Sequence, residues 1–376
     1  MRKKLLWIAV LGLSVSANLQ AQQDPSYTHF IYNKLMYNPA YAGASNQFCL
    51  NAVTHQQYVG YEDQTKLLKT QGGIGMPISS ELPQNIAPKT SGAAFSAPIA
   101  LTIGGAKINV GGVFASFIKD QVAYEDNTYI RGGLSAAYTT SDGVSYRLGF
   151  EANSLTKKLD GDGLRYHDPN DPNIPTGVTG ETKMAFGAGF YYQNPNIFNG
   201  MFAGLSMTNM LPQTYAYGSG GAIKITTARH IYLVAGYKQE QFLSNPLLTL
   251  EPSMLIKTVV GDAGGLVKPE LDLQGMVTYN DMFAGGLNLR SYIAGVDAIS
   301  FMLGYYPPLL GGNGGPSSRQ RLRVGYAYDL VVSNIRTTSY GTHELQVNYC
   351  FTFELPSRPP KIYRHPRWMN RSPKTD

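Results

Sequence analysis

The chain is written in alternating positions. Over 144–152, Val144, Tyr146, Leu148, Phe150 and Ala152 take turns with Ser145, Arg147, Gly149 and Glu151. The same two-residue period runs through 130–139, 270–279 and 321–330. It ends as Leu345, Val347, Tyr349, Phe351 and Phe353 against Glu344, Gln346, Asn348, Cys350 and Thr352. A period of two puts apolar side chains on one face of a strand and polar ones on the other. Fourteen such segments are predicted, near 47–60, 89–100, 108–119, 127–139, 144–154, 183–193, 200–209, 228–238, 246–258, 270–280, 282–290, 296–305, 321–330 and 342–353. Each is about ten residues, the length a tilted strand needs to cross a bilayer, and an even number suits a bacterial single-chain barrel. The fold class predicted is all-β: a transmembrane antiparallel outer-membrane β-barrel of about 14 strands. Apolar side chains then face lipid and polar ones the lumen.

The connections support this reading. With the N-terminus in the periplasm, the outer connections fall at 61–88, 120–126, 155–182, 210–227, 259–269, 291–295 and 331–341. The inner turns fall at 101–107, 140–143, 194–199, 239–245, one residue near Asp281, and 306–320. Long outside and short inside is the outer-membrane pattern. Only 291–295 and 306–320 depart from it. Tyr191, Tyr192, Tyr305, Tyr306, Tyr328, Phe351 and Phe353 stand near strand ends, where aromatic girdles belong.

Composition narrows the field. Gly is 41 of 376 residues, Tyr is 26, and charged residues are only 15%. That excludes a disordered chain and a long-helix protein. After the leader, no apolar run approaches the roughly twenty residues of a spanning helix. The start, Met1-Arg2-Lys3-Lys4 followed by the apolar stretch from Leu5 to Val15 and small residues up to Ala21, reads as a signal peptide. It predicts Sec-dependent export with cleavage after Ala21, a cut after Ala17 being the alternative. The leader carries +3 and the segment 356–376 carries +5, so the body is at −2 within a total of +6. The basic pI of 9.0 comes from the two ends, and nucleic-acid binding by a basic face is not indicated. The organisation expected is a leader over 1–21, a periplasmic N-terminal segment over 22–45, a barrel over 46–355 and a basic periplasmic tail over 356–376.

The segment after the leader reads Gln23-Asp24-Pro25-Ser26-Tyr27-Thr28-His29-Phe30-Ile31-Tyr32-Asn33, then Lys34-Leu35-Met36-Tyr37-Asn38-Pro39-Ala40-Tyr41-Ala42-Gly43. Its Asp-Pro, aromatic pair, Asn and Asn-Pro-Ala-Tyr-Ala-Gly closely resemble the opening motif of the PorP/SprF family, Bacteroidota outer-membrane proteins of the type IX secretion system. Further matches are Ala228-Arg229-His230, Asp297-Ala298-Ile299-Ser300, Val324-Gly325-Tyr326-Ala327-Tyr328-Asp329, and Gly341-Thr342-His343-Glu344-Leu345 leading into Tyr349-Cys350-Phe351. Residues 64–88 are longer than the family's usual first loop, and the end from Pro356 runs beyond its usual stop. The resemblance implies a non-enzymatic barrel of the cell outer membrane, in contact with outer-membrane lipid. Its implied partners are the secretion and gliding-motility machinery, periplasmic or peptidoglycan-associated proteins, and a large secreted adhesin-like cargo. It implies no cofactor.

Several constellations carry candidate chemistry. By parity the lumen receives Arg131, Arg147, Lys257, Arg290, Arg321 and Arg323, with Glu151, Glu251, Glu270, Asp272 and Glu344. Mixed signs suit cross-strand pairing better than the single-sign rings of a selective channel. Fourteen strands leave room for a plug, and 22–45 is expected to lie in or across the periplasmic mouth, with Tyr27, Phe30, Asn38, Pro39 and Tyr41 as candidate partner-binding residues. A bare lead-in to the first strand is the alternative. Cys49 and Cys350 share inward parity near the periplasmic ends of the first and last strands, where closure makes them neighbours and a disulfide becomes possible. Two unrelated small residues are the alternative. In the tail, Arg364, Arg367, Trp368 and Arg371 are candidates for docking on an acidic partner. Asp160-Gly161-Asp162-Gly163 and Asp168-Pro169-Asn170-Asp171-Pro172-Asn173 lack the spacing of an EF-hand and read as turns, so no metal is assigned. The six histidines form no catalytic motif. Three functions stand: partner binding in protein secretion, a porin-like diffusion channel for small solutes, or a soluble secreted β-protein.

Overall fold

The computed structural model describes residues 24–61, 86–103, 106–164, 175–218, 221, 223–260, 266–292, 295–308 and 320–352. The expected leader over 1–21, the tail candidates Arg364, Arg367, Trp368 and Arg371, residues 168–173 and most of 64–88 lie outside the described residues.

The strands in chain order are β1 (Phe48–Gln56), β2 (Lys89–Ile103), β3 (Ala106–Val122), β4 (Glu125–Thr139), β5 (Ser145–Asp160) and β6 (Val178–Asn194). They continue as β7 (Met201–Thr208), β8 (Thr214–Tyr217), β9 (Ile223–Thr226), β10 (Arg229–Gly236) and β11 (Gln239–Glu240). The rest are β12 (Leu248–Val260), β13 (Leu266–Tyr279), β14 (Phe283–Tyr292), β15 (Gly295–Tyr305), β16 (Gln320–Val331) and β17 (Thr342–Phe351). Fourteen of them, all but β8, β9 and β11, form one closed antiparallel barrel in which β1 pairs with β17. The fourteen segments expected from periodicity each fall on one of these strands. Among the described residues no helix is long and apolar enough to cross a membrane.

Alternation does the sorting. Tyr146, Leu148, Leu273 and Tyr326 are 42%, 57%, 43% and 41% exposed. In a two-sheet sandwich these side chains would be the core. Here they form an outward apolar belt, as a lipid-facing barrel requires. Arg323, Gln346, Glu344 and Asp272, of the opposite parity, are buried inside.

The wall is uneven in height. β2 to β6 run 15 to 17 residues, while β1, β7 and β10 run 9, 8 and 8. The expected outer loop 210–227 contains more than a loop. It holds the β8–β9 hairpin, which continues β7 and β10 after a bend. At that bend Thr227 N donates to Gln213 O at 2.9 Å and Gln213 N to Thr227 Oγ1 at 2.9 Å. Tyr215 and Tyr217 are buried, and the Tyr215 hydroxyl donates to Leu155 O at 3.2 Å. These apolar rings turn the hairpin inward over the lumen beside Leu155.

Candidate functional site

The lumen wall is built first, from inward charges on neighbouring strands. Arg131 on β4 pairs with Glu151 on β5 at 2.5 Å. Lys157 pairs with Glu125 at 2.5 Å, and Lys257 on β12 with Glu270 on β13 at 2.5 Å. Arg290 on β14 reaches Asp272 at 3.0 Å and Asp329 on β16 at 3.2 Å. Buried ions without partners are costly, and these are answered from the adjacent strand or, for Arg290 and Asp329, from the strand after it. Among the described residues no ring of one sign results.

Residues 24–45 occupy the space this wall encloses. Thr28, His29, Phe30, Asn33, Asn38, Ala40 and Ala42 are fully buried. The segment contains three 3-10 turns, Phe30–Tyr32, Lys34–Met36 and Pro39–Tyr41. Such tight, poorly bonded turns leave backbone groups over, and the wall satisfies them. The Glu344 carboxylate accepts from Thr28 N at 2.7 Å, His29 N at 2.8 Å and His29 Nδ1 at 2.8 Å. His55 Nδ1 lies 2.9 Å from the same carboxylate but off the hydrogen-bonding direction. Thr28 Oγ1 donates to Asp329 at 2.9 Å. Asn51 Nδ2 donates to Tyr32 O at 2.6 Å and Asn33 Oδ1 at 2.8 Å. Arg131 donates to Met36 O, and Arg147 to Ala42 O at 2.8 Å.

The segment runs lengthwise through the lumen. Asp24 accepts from Thr208 Oγ1 at 2.8 Å and the Tyr232 hydroxyl at 3.0 Å, toward the Thr208 end of β7 and the Arg229 end of β10. From there the chain descends to Gly43, whose N donates to Ser96 Oγ at 2.9 Å.

The Asn-Pro-Ala-Tyr-Ala-Gly run lies flat on bare backbone. Asn38 Oδ1 accepts from Ala40 N at 2.9 Å, and its Nδ2 donates to Phe190 O at 3.1 Å. A Cβ on Gly149 would stand 2.2 Å from Ala40 N, and one on Gly189 would stand 2.2 Å from Asn38 Oδ1. Glycine on β5 and β6 is thus what lets the turn seat. Tyr41 meets Tyr191 edge to face at 5.3 Å.

Lys34 is buried without a carboxylate partner among the described residues. Its Nζ sits 3.8 Å from the Phe202 ring centre, 5.0 Å from Tyr41 and 5.8 Å from Tyr191, an aromatic cage. Burial lowers its pKa to about 8. Arg323 stacks on Tyr32 at 3.6 Å. Below the segment is a cavity of about 360 Å³, open at the end of the barrel that holds Cys49 and Gly200 and lined by Tyr32, Lys34, Phe202, Glu251 and Arg321 among others. Two gaps beside Asp24, of about 20 and 10 Å³, are of single-water size.

Of the candidate residues, Tyr27, Phe30, Asn38 and Pro39 are buried and Tyr41 is half-buried, all against this chain's own wall. Cys49 and Cys350 are brought together and bonded. Asp160–Gly163 forms a turn in which Asp162 Oδ1 accepts from Gly177 N at 2.8 Å. The clamp made by Glu344 was not legible in advance. Parity placed it in the lumen, but its partners Thr28 and His29 are 316 and 315 residues away. The inward hairpin was missed too, although Tyr215, Tyr217, Ile223 and Ile225 alternate.

A family model described as type IX secretion system membrane protein PorP/SprF matches residues 19–349. No curated protein matches the chain. Among solved structures, it is similar to a Pseudomonas aeruginosa FadL homologue at 12% identity, over 88% of this chain and 95% of that one, with a TM-score of 0.41. It is similar to the CymD monoaromatic hydrocarbon channel at 11% identity, over 86% and 93%, with a TM-score of 0.42. It is similar to the beta domain of the Bordetella autotransporter BrkA at 9% identity, over 82% and 98%, with a TM-score of 0.36. Likenesses this distant carry no argument about function.

Proposed function

We propose that this chain, which belongs to the PorP/SprF family of type IX secretion system membrane proteins, works in the outer membrane by binding partner proteins and not by passing solutes. The observation that carries the reading is the occupied lumen, where residues 24–45 are hydrogen-bonded to the wall along their length. A diffusion pore needs a continuous water path, which large barrels leave and packed ones do not. The leader over 1–21 directs export by the Sec route. The outer connections hold or guide a large secreted cargo of the gliding or adhesin type. The periplasmic turns and the basic end, through Arg364, Arg367, Trp368 and Arg371, contact machinery or peptidoglycan-associated proteins. No step of this role requires a catalytic residue or a cofactor.

Conductance of the purified protein in planar bilayers tests it. Brief or absent openings are expected, whereas large persistent openings would establish the porin-like channel instead. Co-purification from native outer membranes should retain secretion components or a secreted protein. If truncation after Ser357 leaves secretion intact, the tail has no docking role.

A further inference from the structure

Among the described residues, residues 178–187 of β6 have a strand on one side only. They pair with β5 without a break, from Val178 opposite Asp160 to Gly187 opposite Glu151. On the other side β7 pairs only with residues 188–194. The chain that follows β7 turns inward as β8 and β9, which among the described residues pair only with each other. β8 is tied to β6 through side chains instead. Ala216 N donates to Glu181 Oε2 at 3.1 Å, and Lys183 Nζ donates to Thr214 O.

The direction of the unpaired groups follows from one hydrogen bond. Met210 N donates to Phe186 O at 2.9 Å, so the Phe186 backbone faces the open side. In a strand the backbone groups alternate sides with a period of two. The ladder with β5 has no bulge over this stretch. Val178, Gly180, Thr182 and Met184 therefore aim their N–H and C=O groups at the open edge. Gly177 O, of the other parity, accepts from Gly161 N on the β5 side, as it should.

We infer that the edge of β6 formed by Val178, Gly180, Thr182 and Met184 docks one extended strand of a secreted partner at the cell surface. A row of free donors and acceptors recognises an extended main chain of any sequence. The edge lies at the long-connection end, beside 161–177, which is the outer end of the barrel. Val178 is 66% exposed, and Met184, at 49%, joins Phe186 and Phe190 in the apolar belt. An unpaired row of backbone donors and acceptors is a ready template for another strand, which favours an occupant.

Two other occupants are disfavoured. The residues leading into β6 include Pro169, Pro172 and Pro175, which lack the N–H a ladder needs. A second copy in the same membrane would present a strand tilted by about 40° in the opposite sense, crossing β6 at about 80°. A soluble partner has no such restriction. The inference rests on the partner-binding reading for the source of the strand.

Hydrogen exchange of the full-length protein tests it, read on peptides spanning 177–186. In native outer membranes of secreting cells, four fewer amides should exchange fast than in the purified protein alone. The four should be fast again in membranes from cells whose secretion is blocked. Equal exchange in all three samples overturns the idea. Protection in the purified protein assigns the edge to this chain's own residues, and protection in secretion-blocked membranes assigns it to a resident protein; either overturns it too. Thr182→Pro removes one edge donor while sparing the β5 ladder, and heat-modifiable gel mobility reports whether the barrel has formed. Thr182→Lys blunts the edge with the backbone intact. Both should lower the amount of secreted protein co-purifying with the chain at least tenfold. Retention at the unaltered level defeats the edge while leaving partner binding standing. Absence of any secreted protein with the unaltered chain defeats partner binding itself.

Discussion

Cys49 and Cys350 lie opposite one another in the ladder that closes the barrel, 4.1 Å apart at Cα and bonded through sulfur. The bond joins the first and last strands of the wall across 301 residues of chain. In the chain-entropy account, closing a loop that long contributes about 5–6 kcal/mol by restricting the unfolded ensemble. Cys49→Ser should lower the melting temperature of the purified barrel and abolish the mobility difference between reduced and unreduced denatured samples. Absence of any mobility difference in the unaltered chain would mean that the bond does not form in the cell.

The seat for the Asn-Pro-Ala turn makes a second prediction. Gly149→Val puts side-chain atoms where Ala40 N now stands, 2.2 Å from the first added carbon. Backbone cannot yield as a side-chain end does, and overpacking of this kind costs about 1–3 kcal/mol. The segment should leave its seat while the wall persists. Planar-bilayer conductance should then rise, and cells should become sensitive to antibiotics too large to cross the intact membrane. A closed barrel with Gly149→Val would show that the segment is not what fills the lumen.

The Arg131–Glu151 pair is shared between wall and segment, because Arg131 also donates to Met36 O. Glu151→Ala leaves a buried guanidinium without its counter-charge and should destabilise the barrel by about 3–5 kcal/mol. The double variant Arg131→Met with Glu151→Leu should recover much of that loss in urea titrations. Retention of residues 24–45, read by limited proteolysis, should fall in the double variant, since Arg131→Met removes the bond to Met36 O.

Lys34 gives a pH-dependent prediction. Its pKa falls from the ordinary 10.5 to about 8 through burial. The charged form is therefore disfavoured in the fold, and the cost is present in full below pH 8. It is relieved between pH 8 and 10.5, where the folded chain has released a proton that the unfolded chain still holds. Lys34→Met should raise the melting temperature at pH 7 by roughly 2–4 °C. Thermal scans should show that advantage shrinking as pH approaches 10.5. A melting temperature that falls at pH 7 would mean the cage of Phe202, Tyr41 and Tyr191 outweighs the burial cost.

Much was legible because strand chemistry is local. Tyr146, Leu148 and Phe150 against Ser145, Arg147 and Gly149 declare both a strand and its two faces within six residues. The even strand count, the lipid-facing belt and the inward set of charges all follow from repeating that pattern. The pairing of Cys49 with Cys350 was within reach for the same reason, since closure makes the terminal strands neighbours.

What periodicity cannot express is contact between parts far apart in the chain. Nothing beside Glu344 announces Thr28 and His29, and nothing beside Gly149 announces Ala40. Whether 210–227 stands outward as a loop or folds inward as a hairpin depends on room beside Leu155, which only the closed wall creates. The sequence by itself determined the barrel, its strands and their faces, because alternation is enforced residue by residue through backbone geometry. The filled lumen and the half-paired edge of β6 were decided by tertiary structure, because both depend on which surfaces remain once the wall has closed.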